Sequence, residues 1–168
     1  MALGLWSVSP TEVAAQNIVW SVVDCSQSRL VAPSGATCRG TNRYAGDNGV
    51  GEFQIWSIRG NSPYQYLILN ESLNSSSSIR FTNTTEEYLR RIGPGKNATG
   101  FSGKLHRNGA DYFTFTSKAG EECTGFRRGG PSRSVGYLWV LGGILCLTKG
   151  EKLDQARIFK FMDDAQVK

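Results

Sequence analysis

Runs of β-branched and alternating hydrophobic residues divide the first half of the chain into short predicted strands. Residues 18–23 are rich in Ile and Val and predict a strand that ends near Cys25. Two further strand-like runs, at 52–59 and 64–69, flank the Gly-Asn-Ser-Pro segment at 60–63. This segment has the length of a longer hairpin loop, so the pattern predicts an antiparallel hairpin.

A second group of apolar segments lies in the C-terminal half and predicts the centre of the sheet. Residues 111–116 alternate aromatic residues with Thr, which is the two-residue period of a strand. Residues 123–127 fit a partner strand. Residues 137–147 are mainly apolar, and within them Gly142 and Gly143 are predicted as a turn or a bulge.

Capping residues predict two helices. Residues 84–91 have the pattern of a short helix that the Gly-Pro-Gly segment at 93–95 would end. Thr148 and Glu151 have the spacing of a capping box, which predicts a C-terminal helix from there to about Asp164. The residues expected to face the sheet are Leu153, Ile158, Phe161 and Met162.

The order of these elements predicts an α+β fold, with a mostly antiparallel sheet and the C-terminal helix packed on it. The 168 residues, 39% of them hydrophobic, suit a single domain over 1–168 with one core. Residues 1–16 lack a charged start and are interpreted as a signal remnant or a flexible N-terminal segment. The longest apolar run, 135–147, is shorter than the about 20 residues of a membrane helix, so no membrane span is expected.

The four cysteines bear on the cellular compartment. Cys25 and Cys38 form a close N-terminal pair, and Cys123 and Cys146 form a close C-terminal pair. We predict one disulfide within each pair, which implies a periplasmic or secreted protein. The tight Cys pairs of structural zinc sites are missing, so no metal is expected. The alternative is a cytoplasmic protein with four free thiols.

Four Asn-x-Ser/Thr sequons have the pattern of glycosylation sites in exported chains. The chain is rich in Asn, Ser and Thr, so a polar loop explains the sequons equally well and glycosylation stays open. The sequons begin at Asn70, Asn74, Asn83 and Asn97.

The formal net charge of +5 is concentrated in one part of the chain. Residues 90–133 hold nine Lys or Arg residues against three acidic residues. Guanidinium groups beside a Gly-rich backbone suit an anion, so a polyanion or nucleic-acid binding protein is one alternative function. An ordinary solvated face is the other interpretation. The candidate anion-binding residues are Lys104, Arg107, Arg127, Arg128 and Arg133.

Signals for catalysis are few. His106 is the single histidine, and Asp111 lies near it in sequence, so a hydrolase centred on His106 is a further alternative. The chain has no nucleophile elbow, P-loop, dinucleotide fingerprint or Cys-x-x-Cys pair. We therefore expect no cofactor and favour a function without catalysis.

The last third of the chain carries a resemblance. It runs from Cys-Thr-Gly-Phe-Arg-Arg at 123–128, through Gly-Tyr-Leu-Trp at 136–139 and Gly-Ile-Leu-Cys at 143–146, to the predicted helix. In cysteine spacing and in its Cys, Phe and Arg pattern it resembles small exported bacterial proteins of uncharacterised function. The resemblance implies a periplasmic or envelope location and brings no catalytic residue. The leading hypothesis is a non-enzymatic extracytoplasmic module that binds another protein in an envelope or secreted assembly.

Overall fold

A nine-stranded antiparallel sheet forms the centre of the protein in the computed structural model, which describes residues 18–46, 51–61 and 63–168. The segment 1–16 lies outside the described residues. The strands of the sheet are β1 (Trp20–Val23), β2 (Thr37–Thr41), β3 (Tyr44–Ala45), β4 (Glu52–Asn61), β5 (Tyr64–Ser72), β6 (Leu105–Arg107), β7 (Ala110–Thr116), β8 (Glu122–Gly129) and β11 (Trp139–Cys146).

The remaining elements are short. Strands β9 (Ser132–Arg133) and β10 (Gly136–Tyr137) pair with each other in a separate ribbon. Helix α1 (Thr85–Leu89) is followed by a 3-10 turn (Gly93–Gly95), and helix α2 (Gln155–Asp164) lies near the C-terminal end. None of the helices in the described ranges is long and apolar enough to cross a membrane. The α+β class and the single domain are confirmed.

The strand order is β1-β2-β4-β5-β11-β8-β7-β6, with β3 also paired to β4. The predicted first strand and the β4–β5 hairpin are confirmed. The hairpin is tighter than expected, because Asn61 pairs directly with Tyr64 and the strands continue into the segment predicted as a loop. The C-terminal apolar segments lie at the centre of the sheet, as predicted.

The turn or bulge predicted at Gly142 and Gly143 is wrong. Strand β11 pairs without interruption with β5 on one side and with β8 on the other. The two glycines instead allow close packing on opposite faces of the strand. A Cβ atom at Gly142 would overlap the Tyr88 ring, and one at Gly143 would approach Phe126.

Helix α1 lies inside the predicted segment and has the capping box of Thr84 and Glu87 at its start. The predicted start of the C-terminal helix at Thr148 is wrong. The Thr148 backbone N–H does donate to the Glu151 carboxylate, at 3.1 Å, but this pair closes a turn. Gly150 has φ of 95°, which is incompatible with a helix, so α2 begins only after the N-cap Asp154.

One face of the sheet carries most of the core. Cys38, Ile58 and Leu67 are successive partners across β2, β4 and β5, so their side chains share this face. Segment 25–36 and α2 cover it, and Leu30 and Phe161 are both buried there. The predicted inward side chains of the helix are confirmed: Ile158, Phe161 and Met162 are buried and Leu153 is half-buried.

The other face is covered only in part. Leu89 of α1 packs with Phe113 and Ile144 in a second cluster over β7, β8 and β11. Phe101 stacks on Phe115 in the same cluster, with ring centroids 4.7 Å apart. On the β1 side of this face Val22 remains 73% exposed. This face is therefore roofed at one end and open at the other.

Both predicted disulfides are confirmed, and the described residues include no free cysteine. Cys25–Cys38 fastens the covering segment to β2. Cys123 and Cys146 are directly opposite each other on β8 and β11, so their disulfide fixes the register of this central strand pair.

Candidate binding groove

Arg127 is buried and serves as an internal clamp. Its guanidinium donates to the side-chain and backbone oxygens of Asn83, and it lies 4.1 Å from the ring centroid of Phe81 and 5.1 Å from that of Tyr88. Burial lowers the pKa of Arg127, and nearby Tyr88 partly offsets this effect. The contacts hold the segment before α1 against β8.

Arg128 and Arg107 bind the C-terminal part of helix α2 on the opposite face of the sheet. Arg128 donates to the carbonyls of Met162 and Ala165, where α2 ends. Arg107 is 2.8 Å from the Asp163 carboxylate and 3.8 Å from the ring centroid of Phe159. These two cations meet at the same helix, whereas Arg127 lies across the sheet from them.

The last two predicted cations lie elsewhere. Arg133 donates to backbone carbonyls in the turn at 74–77, and exposed Lys104 is 3.9 Å from the Asp111 carboxylate. The five candidates thus have separate partners within the protein and are not gathered on one surface. That they bind an anion stays a prediction.

His106 lies on the edge strand β6, and its side chain is 64% exposed. Its Nδ1 is 3.1 Å from Asp111 Oδ1, so the pairing considered from the sequence is present. His106 is exposed and Asp111 is half-buried at the edge of the sheet, whereas a catalytic base needs an enclosing site with a nucleophile and bound substrate. This geometry gives the hydrolase alternative no support.

The sequon asparagines differ in their surroundings. Asn83 accepts from Arg127, and the Asn74 side chain accepts from the Ser77 backbone N–H at 3.0 Å. Asn70 is paired within β5, whereas Asn97 is exposed in a turn. Glycosylation stays open.

The open end of the half-covered face forms a groove across β1, β2, β4 and β5. Val22, Arg39 and Ser57 are successive cross-strand partners, so their side chains share this face. Thr37 lies opposite Arg59 in the adjacent row. The cavity has a volume of about 770 Å³, and its lining is completed by Trp20, Asn61 and Tyr66.

Two arginines give the groove its charge. Both Arg39 and Arg59 are exposed, and neither forms an ion pair with any acid in the described parts of the chain. Arg39 lies 5.8 Å from the ring centroid of Trp20, and Arg59 lies 5.3 Å from that of Tyr64. An aromatic ring can orient a guanidinium without neutralising it, so both charges remain available to a ligand.

Tyr66 adds a hydroxyl donor to the groove on β5, directly opposite Arg59 on β4. Burial raises the pKa of Tyr66, and the neighbouring Tyr64 adds to the rise. The positive charges of Arg39 and Arg59 oppose this rise in the pKa of Tyr66. The described lining contains no carboxylate or imidazole. The described lining can therefore bind an anion through N–H and O–H donors, and it offers no carboxylate or imidazole that could act as a general base.

Charge counting along the sequence missed this groove, because Arg39 and Arg59 are twenty positions apart and lie outside the basic segment at 90–133. Strand register brings them together. One signal was available: Cys38 and Ile58 are core residues, so the residue after each must point to the opposite face.

The fold and groove define a disulfide-containing α+β domain with a cationic, aromatic-lined sheet face. Comparisons of the chain with protein-family models, curated proteins and solved structures give no match.

Proposed function

We propose that this chain is a non-enzymatic, extracytoplasmic binding module that holds an anionic ligand in the groove. The observation that carries the proposal is the placement of Arg39 and Arg59, which line one open cavity and have no carboxylate partner among the described residues. Charged groups without internal partners keep their capacity to pair with an external charge.

The disulfides support the extracytoplasmic part of the proposal. Disulfides persist in the periplasm and outside the cell, whereas cytosolic thiols are kept reduced. Cys38, Cys123 and Cys146 are all buried, so both bonds belong to the folded core. That the partner is a protein in an envelope or secreted assembly stays a prediction within this proposal.

The test is binding to immobilised polyphosphate, heparin and polyglutamate by biolayer interferometry at low and physiological salt. We expect binding that weakens as salt rises, because counterions compete with the arginines. The double variant Arg39→Ala/Arg59→Ala should bind at least tenfold more weakly, on the basis of about 1.5–3 kcal/mol for a hydrogen bond to a charged group.

The matched control is Arg43→Ala/Arg80→Ala, which removes the same charge from exposed positions outside the groove lining. Its binding should fall much less than that of the groove variant. Equal losses in the two variants would mean that overall charge drives binding, and absence of binding to all three polymers would refute the proposal.

A further inference from the structure

We infer that the groove recognises a phosphomonoester in its dianionic form, an inference that rests on the proposed function. Its basis is that two guanidinium groups and one phenol line a single cavity. The chemical class is a phosphate group carried on a sugar or on a lipid.

Charge is the first reason for this choice. Arg39 and Arg59 bring two positive charges, and the described lining contributes no acid to offset them. A phosphomonoester carries close to two negative charges at neutral pH. A carboxylate or a sulfate ester carries only one and would leave one guanidinium without a partner.

Geometry is the second reason. Arg39 faces Ser57 and Arg59 faces Thr37, so the two arginines are diagonal neighbours on β2 and β4. Such neighbours are typically about 7–8 Å apart at the backbone, within reach of one group held between two long side chains. A phosphomonoester has three terminal oxygens, which suffice for two guanidinium forks and the Tyr66 hydroxyl. One guanidinium fork already occupies both oxygens of a carboxylate.

The remaining lining suits the carbon skeleton that carries the phosphate. Trp20 and exposed Val22 form an apolar side of the groove on β1. Ser57 and Asn61 offer neutral polar groups on β4. A sugar ring has both an apolar face and hydroxyl groups, and the glycerol portion of a lipid headgroup has a similar mixture.

The test is isothermal titration calorimetry with glucose 6-phosphate at pH 5 and pH 7. With a second phosphate pKa of about 6, the dianionic fraction rises about tenfold over this range, and the affinity should rise by the same factor. The described lining includes no Asp, Glu or His. Arg39, Arg59 and Tyr64 are the charged or titratable groups that act on Tyr66, and Glu121 acts on Tyr64. The pH response is assigned to the phosphate, and Glu121 acts on Tyr64 without lining the groove. The variant Glu121→Gln should therefore keep the full pH response.

Two further ligands separate charge from shape. Glucose 6-sulfate is a monoanion at both pH values and should bind weakly without a pH response, and glucose should not bind. Tyr66→Phe removes only the hydroxyl and should weaken glucose 6-phosphate binding about fivefold, as expected for one hydrogen bond. Phosphatidylcholine vesicles containing phosphatidic acid present the same phosphomonoester on a lipid, so a comparison with glucose 6-phosphate identifies the carrier.

Binding to either carrier with the tenfold pH response supports the inference. Equal affinity for the sulfate ester, or an affinity for the phosphate ester that does not change with pH, would overturn it. If polyanions bind through Arg39 and Arg59 but neither phosphomonoester does, this inference fails and the proposed function stands. Failure of all the polyanions would remove both.

Discussion

At the scale of single residues, neighbours in sequence have separate roles because a strand turns successive side chains to opposite faces. Arg127 holds the segment before α1 on one side, and Arg128 binds the last carbonyls of α2 on the other. Gly142 and Gly143 show the same division, since each leaves room for a ring on a different face. Identical residue types in tandem therefore predict neither a shared site nor a turn.

Gly142→Ala tests this interpretation of the glycine pair. The new methyl group would overlap the Tyr88 ring, which packs into the second core cluster, so we expect a loss of about 1–3 kcal/mol in the free energy of unfolding. Urea denaturation measures it. Gly103→Ala is the control, since a Cβ atom there has open space, and its stability should change by less than about 1 kcal/mol. Equal free energies of unfolding for the two variants would refute the interpretation that Gly142 leaves room for the Tyr88 ring.

At the scale of elements, the hairpin and the central strands were predictable, whereas β2, β3, β6 and one helix boundary were not. Residue types and alternation located the hairpin and the central strands, because a half-buried strand has a two-residue period. The capping-box pattern at Thr148 and Glu151 was real, and its hydrogen bond does form. A local motif cannot report that Gly150 takes a left-handed conformation between them, and so it placed the helix start too early.

The observed start of α2 predicts which cap matters. Asp154 accepts from the Arg157 backbone N–H at 2.8 Å, so Asp154→Ala should lower the free energy of unfolding by about 1 kcal/mol. Thr148→Ala should change it by less than half as much, because Thr148 lies in the turn before the helix. Thermal or urea denaturation followed by circular dichroism gives both values. A larger loss at Thr148 would contradict the observed boundary.

At the scale of the whole molecule, the two faces of the sheet are unequal. The first is covered by α2 and by a segment that Cys25–Cys38 fastens to β2, and the second is covered only where α1 and the residues around Phe101 pack. The arginines of the basic segment at 90–133 mainly bind other parts of the protein, whereas the charged residues of the groove lie on β2 and β4. The residues that line the groove can be read from the sequence, but their placement in one cavity depends on the register of β1, β2, β4 and β5.

The two disulfides should contribute unequally to stability. Cys25–Cys38 closes a separation of 13 residues and Cys123–Cys146 one of 23, and the longer loop restricts the unfolded chain more. Replacing the first pair by Ala should cost about 3 kcal/mol, and replacing the second should cost more, because both of its cysteines are also buried. Urea denaturation of the two double variants compares them, and a smaller loss for the second pair would contradict this account.

The Cys123–Cys146 bond has a mechanical consequence. It joins directly opposite residues of two central strands, so a pull along the chain cannot slide β8 past β11. The loop between the two cysteines also cannot lengthen under tension, because the covalent bond carries the load around it. If the protein were stretched from its two chain ends, the outer strands would separate from the sheet. The ends of β8 and β11 that the disulfide joins would stay connected until the bond is reduced.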